Sequence, residues 1–182
     1  ALQMADAEGL KVVKVLTHED SAAGPDAPAA DKRGLVGCIP LYKVAGAAAE
    51  AGRSLEEVQA IAERFNSGMA TLAVAMKAAT HPATGETLFE LADDEMEIGM
   101  GQHGEAGTGP CPIRTADETA ALMMERLVNA IGAKSGDRLA VILNGAGATT
   151  LMELYIVMKG VKKYLDGLGI AIVATRVGEM LT

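Results

Sequence analysis

The sequence predicts an α/β fold: a layered domain with helices flanking a mixed or largely parallel sheet. Three observations carry that prediction. Short β-branched runs (residues 10–16, 137–143 and 170–178) alternate with longer stretches at helical spacing. Two helical stretches open on a capping box, Ser54 with Glu57 and Thr115 with Glu118. A glycine loop, Asn144-Gly145-Ala146-Gly147-Ala148-Thr149, joins one apolar run directly to a helical one.

The elements follow in order. Residues 1–8 read as the second half of a helix, with Gly9 closing it. Residues 10–16 read as a strand and 17–31, rich in Ala, Pro, Gly and Asp, as a loop. His18 beside Glu19 and Asp20 reads as a surface histidine next to acids; the three could hold a metal, but no spacing enforces it. Small residues fill 38–51, giving a helix suited to close packing or a dimer interface, and Gly52 ends it. After Ser54, the residues Leu55, Val58, Ile61, Ala62 and Phe65 recur at helical spacing. A second Ala-rich helix is expected over 70–79, divided from the first by Asn66-Ser67-Gly68. Met69 and Met76 read as core filler. His81-Pro82 lies in a turn, with His81 structural or exposed. Residues 88–91 and 96–102 read as extended, the second leading to His103. Gly107, Gly109, Pro110 and Pro112 bend the chain before the helix that starts after Thr115. Residues 137–143 read as a buried strand, 151–165 as a helix, and 170–178 as a final strand with nothing to pair its far side. The two ends together suggest a single-domain fragment, residues 1–182, truncated at both ends.

Composition bounds the function. The chain has 182 residues, 49% hydrophobic, which is enough for one core. Its net charge of -8 disfavours nucleic acid. There is no Trp and aromatics make up 3%, so stacking surfaces are scarce. Cys38 and Cys111 stand in no metal or redox spacing. No apolar run approaches the ~20 residues of a membrane span, and a reducing cytoplasm is the expected setting.

The chemistry concentrates in residues 95–107, where four glycines (Gly99, Gly101, Gly104, Gly107) surround His103 and Glu105. Glycine lets backbone approach a ligand closely. A neutral imidazole on such a loop is a nucleophile, base or ligand. From residues alone, a Gly-rich turn that merely contains a His reads as well. The run Phe89 through Glu105, with Glu95-Met96-Glu97-Ile98-Gly99-Met100-Gly101-Gln102-His103-Gly104-Glu105 at its centre, resembles the substrate-binding (DhaK-type) subunit or domain of dihydroxyacetone kinases. Lys32-Arg33-Gly34-Leu35-Val36-Gly37 leading to Lys43–Glu50, and the stretch from Leu143 to Tyr155, resemble the same family in the same order. The likeness covers nearly the whole chain and corresponds to most of the C-terminal half of that protein. Gln102 stands where the family usually has Ile, and Ala106 where it usually has Pro, departures that bear on substrate preference.

The resemblance implies a ketose kinase with dihydroxyacetone as first substrate and tetruloses such as erythrulose as alternatives. His103 would hold the ketone covalently as a hemiaminal, with Gln102 and Gly104 beside the substrate. Glu105 either sets the His103 tautomer or merely structures the loop. No cofactor is expected in this chain. The phosphoryl donor would be ATP with Mg²⁺ on a DhaL-type helical subunit or domain, or a phosphorylated relay subunit. The acid–base residues lie in the family's other half, so this piece alone is expected to be inactive as a kinase. The Gly145-x-Gly147 spacing is a weak dinucleotide match, and the resemblance assigns that loop to the fold. Two other classes stay open: a non-catalytic ketose-binding regulator, and an acyl-binding protein whose tunnel would run between the small-residue helices 38–51 and 70–79.

Overall fold

A computed structural model describes residues 2–24 and 26–181. Ala1 and Pro25, which the readings above place in the first helix and the following loop, lie outside the described residues. The architecture is mixed α/β, as expected, but with two small sheets in place of one continuous sheet. Strands β1 (Val74–Ala75), β2 (Glu95–Ile98) and β3 (Pro110–Pro112) form an antiparallel sheet in that order. Strands β4 (Arg138–Gly145) and β5 (Ala171–Glu179) pair in parallel. The helices are α1 (Leu2–Ala7), α2 (Cys38–Glu50), α3 (Leu55–Ser67), α4 (Ala116–Ile131) and α5 (Leu151–Gly167).

Parallel strands need a long crossover, and α5 supplies it between β4 and β5. The resulting unit buries Val161, Leu165 and Ile170 against Ala120, Met124 and Val128 of α4. On its other side α4 lends Leu122, Met123 and Leu127 to a second cluster around Leu72, Met96 and Ile98. Leu127 belongs to both clusters, so α4 is the shared wall of two cores. Contact between α4 and α5 is close: a Cβ built on Gly160 would stand 2.8 Å from the Cβ of Ala120, which is fully buried.

Both expected capping boxes are formed, and a third, Thr150 with Glu153, opens α5. Helix α2 has no side-chain cap of its own. Glu19 acts from a distance instead, its Oε1 accepting the N–H groups of Leu35 (2.6 Å) and Gly37 (3.0 Å). A carboxylate suits that position because the helix N-terminus carries partial positive charge. The motif Arg33-Gly34-Leu35-Val36-Gly37 thereby gains a steric reason. A Cβ on Gly34 would strike Thr17, and one on Gly37 would stand 2.6 Å from Glu19 Oε1.

Several sequence readings are corrected. Residues 10–16 form no regular element and pair with no strand among the described residues; Leu10, Val12 and Leu16 are exposed, and the run is tied to α3 by Asn66 Nδ2 donating to Leu16 O (2.8 Å) and by the Lys11–Glu56 ion pair. Strand propensity needs a neighbour to be realised. Residues 70–79 are not helical: Val74 and Ala75 pair with Ile98 and Glu97, and a bend follows at 76–77. Tertiary pairing overrides the alanine preference, and the helix-lined acyl tunnel loses one of its walls. Residues 88–91 form no strand, and Met76 is exposed. β4 alternates between exposed and half-buried positions rather than lying buried. His18 is half-buried rather than at the surface, and the acids beside it, Glu19 and Asp20, are 3% and 2% exposed.

The Ala120–Gly160 contact sets a prediction. Gly160→Val recovers a few tenths of a kcal/mol of helix propensity but overpacks α4 against α5, at about 1–3 kcal/mol. Urea unfolding is expected to show net destabilisation at unchanged m-value.

Candidate functional site

Strand β2 ends where Gly99 takes φ +83°, a backbone turn favoured by glycine. The space there is also tight, since a Cβ on Gly99 would lie 2.5 Å from that of Ala22. Residues 99–109 then form a long loop before β3. Within it Gly101 N–H donates to Glu105 O (2.8 Å) and Gly104 N–H to Gly101 O (3.2 Å). At its exit Gly107 N–H donates to the buried Glu97 Oε1 (2.6 Å), and Thr108 N–H to Ile98 O (2.8 Å). The loop tip carries Gln102, His103, Gly104 and Glu105.

His103 stands out from this frame, with 84% of its side chain exposed. Glu105 folds back under it. One carboxylate oxygen, Oε2, accepts the His103 backbone N–H (2.9 Å), and the other, Oε1, lies 3.0 Å from His103 Nδ1. The Glu105 carboxyl is held down to about 2 from an ordinary 4.5, first by its own backbone N–H, then by the backbone N–H and ring of His103. It is therefore ionised at neutral pH and can only accept. The neutral imidazole must then carry its proton on Nδ1, which leaves the lone pair on the outward Nε2. No room remains for a side chain at Gly101, where a Cβ would run into the Glu105 carboxylate and stand 2.8 Å from Arg33 Nη1.

Arg33 reaches this loop from far away in sequence. Its Nε donates to Asp20 Oδ2 (2.6 Å), its Nη2 to Gly99 O (2.5 Å) and its Nη1 to Ala106 O (3.4 Å). Arg33, Asp20 and Glu97 were not read from the sequence as parts of the site. Arg33 lies in the Lys32–Gly37 run, but nothing local points it toward residue 99. The remaining histidines lie elsewhere. His18 is half-buried with Nδ1 3.3 Å from Lys32 O, and His81 Nδ1 accepts from Ala83 and Thr84 in its own turn, as the sequence suggested. Cys111 packs beside Met96 as part of β3. Among the described residues no three His, Cys, Asp or Glu side chains gather as a metal site, and no helix is long and apolar enough to cross a membrane.

The glycine loop before α5 borders a concavity of about 510 Å³ lined by residues 147–151, Leu154 and 177–179. No Lys or Arg lines it, and Glu179 does, so its chemistry does not fit a nucleotide phosphate. Asn144 in this region serves the fold, its Oδ1 accepting the N–H groups of Met180 and Leu181.

Comparison with known proteins shows the family. The Dak1 domain matches over residues 1–182. The chain belongs to the Dak1 domain family. It is 37% identical, over its full length and 55% of the relative's, to the PTS-dependent dihydroxyacetone kinase 1, dihydroxyacetone-binding subunit DhaK, of Listeria innocua. It is 36% identical, over 97% of its length and 31% of the relative's, to the L-erythrulose kinase of Pectobacterium atrosepticum. Among solved structures, a dihydroxyacetone kinase operon co-activator (DhaQ) superposes with TM-score 0.90 at 30% identity, covering all of this chain and 56% of that one. The C. freundii dihydroxyacetone kinase in complex with AMP-PNP and Mg²⁺ superposes with TM-score 0.80 at 27% identity, covering 91% and 30%. This Dak1 domain chain thus spans about half the length of the first relative and a third of the second.

The Glu105 contact sets a pH dependence. A carboxyl whose pKa is lower in the folded loop than its ordinary 4.5 stabilises that loop above pH 4.5, and the contribution fades as pH falls toward 2. Amide exchange at His103 N–H is expected to accelerate over that window in the native chain, relative to intrinsic rates, and to lose the dependence in Glu105→Gln.

Proposed function

We propose that this Dak1 domain is the ketose-holding part of a cytoplasmic dihydroxyacetone kinase, and that His103 captures the substrate carbonyl covalently. The observation that carries the proposal is the Glu105–Nδ1 contact, which leaves Nε2 as a free nucleophile at an exposed loop tip. The Nε2 lone pair forms a bond to the carbonyl carbon, and the C=O π pair moves onto oxygen. In net balance the oxygen gains the proton that Nδ1 gives up, passed through solvent, and a neutral hemiaminal results. While the ring is transiently cationic, the ionised Glu105 stabilises it. A small polyhydroxylated ketone offers little apolar surface, so a reversible bond supplies retention, and glycerol, with no carbonyl, is rejected. Gln102 and Gly104 border the captured ketone.

Phosphoryl donation is assigned to a partner, a DhaL-type subunit or domain carrying ATP and Mg²⁺ or a phosphorylated relay protein. The lining of the glycine-loop concavity supports this, since it does not suit phosphate. The 182-residue chain alone is accordingly inactive as a kinase, and ATP turnover by the purified chain would overturn that part. A homodimer through the small-residue face of α2 belongs to the same proposal. The likeness to an erythrulose kinase favours a second substrate reading in which Gln102 meets an extra hydroxyl. The likeness to an operon co-activator supports a regulatory alternative that keeps capture without turnover.

Carbon NMR of carbonyl-labelled dihydroxyacetone tests the capture step. The ketone signal is expected to move to the tetrahedral region with the native chain and to stay in place with His103→Ala. Glu105→Gln is expected to weaken capture about tenfold or more, the scale of one hydrogen bond to a charged group. Gln102→Ile is expected to lower preference for erythrulose over dihydroxyacetone in competition; unchanged selectivity removes the role assigned to Gln102.

A further inference from the structure

The His103 loop is short of packing of its own. Its tip side chains are exposed or half-exposed, and the hydrogen bonds within residues 101–105 run between near neighbours. Such a loop samples many conformations unless something outside fixes its ends. Glu97 fixes one point, Gly107 N–H. Arg33 fixes two more, one at each end, through the carbonyls of Gly99 and Ala106. A planar guanidinium can span two acceptors and a carboxylate at once, whereas an ammonium is a point charge. The anchor behind Arg33 is firm: Asp20 is 2% exposed, and its Oδ2 lies 2.6 Å from both Nε and Nη2. Its other oxygen accepts Ala22 N–H (3.0 Å), and its own N–H donates to Arg33 O (3.0 Å). The Asp20 backbone is held further by its neighbours, since Ser21 N–H donates to Thr71 O (2.8 Å) and Thr71 N–H to Glu19 O (2.7 Å).

We propose that Arg33, oriented by Asp20, is a positioning residue that holds both ends of the 99–106 loop and thereby sets where His103 presents Nε2. Arg33 touches no reacting atom; it acts through the two carbonyls. The inference rests on the reading of His103 as the capturing residue. Its mechanical part, a clasp on the loop, is measurable without any ketose.

The test compares the native chain with Arg33→Lys, which keeps a cation beside buried Asp20 but cannot span both carbonyls, and with Arg33→Gln. Amide exchange is read at Gly101, Gly104 and Gly107, with α4 and α5 amides as the internal reference. Ring nitrogen NMR of His103 reports the Nδ1–H tautomer. In Arg33→Lys, loop exchange is expected to rise about tenfold or more, the scale of a lost charge-assisted bond. The α4 and α5 amides stay protected and the Nδ1–H preference weakens. Unchanged loop exchange overturns the proposal, and so does acceleration spread evenly through α4 and α5, which would mark a general structural role. Capture of labelled dihydroxyacetone is then measured on the same samples. Weaker capture by Arg33→Lys, with native capture intact, completes the support; equal capture by both overturns the link to His103. If the native chain captures no ketone, it is the proposed function that falls, while exchange and tautomer still decide the clasp.

Discussion

A buried carboxylate must be paired, and in this chain the pairing of Asp20 with Arg33 reaches the loop that carries residue 103. Asp20 is nearly sealed from water. Left alone, its charge would cost several kcal/mol. Arg33 meets it, and in doing so brings a guanidinium with donors left over beneath a glycine loop. The leftover donors find carbonyls at positions 66 and 73 residues further along the chain. Glu19, one residue before Asp20, makes a parallel arrangement toward the start of α2, although its second oxygen is buried without a partner among the described residues. Adjacent acids thus organise two different regions: one the entry to a helix, the other the loop that presents the histidine.

How much of this was legible follows from the range of each interaction. Capping boxes are local patterns, so Ser54–Glu57 and Thr115–Glu118 could be read directly. Thr150–Glu153 has the same local spacing. His103, Gly104 and Glu105 stand within three consecutive positions, so their grouping was plain in the sequence. The alternative that Glu105 only structures the loop is not separable from tautomer control by spacing, and the structure shows the carboxylate contacting both the His103 backbone and its ring. The Arg33 contacts lie beyond any local pattern.

The misread segments share one cause. Residues 10–16 have strand composition and 70–79 have helix composition, yet neither preference decided the outcome. The first lacks a strand to pair with among the described residues, and the second is drawn into pairing with β2. Nothing local marks Glu19 and Asp20 as buried, since charged residues are usually solvated. Burial of an acid depends on a partner, and theirs came from residues 33–37.

The clasp on the loop has a consequence for how this protein can diverge. Arg33 grips the carbonyl oxygens of Gly99 and Ala106, and a carbonyl is the one feature that every residue possesses. Proline at 106 would offer the same acceptor as alanine. Gln102, at the tip, takes no part in the grip. The side chains at the tip can therefore vary while the grip on the loop's carbonyls stays the same. Under the proposed function, a lineage would move from one small ketose to another, or from turnover to sensing, by changing the tip residues alone.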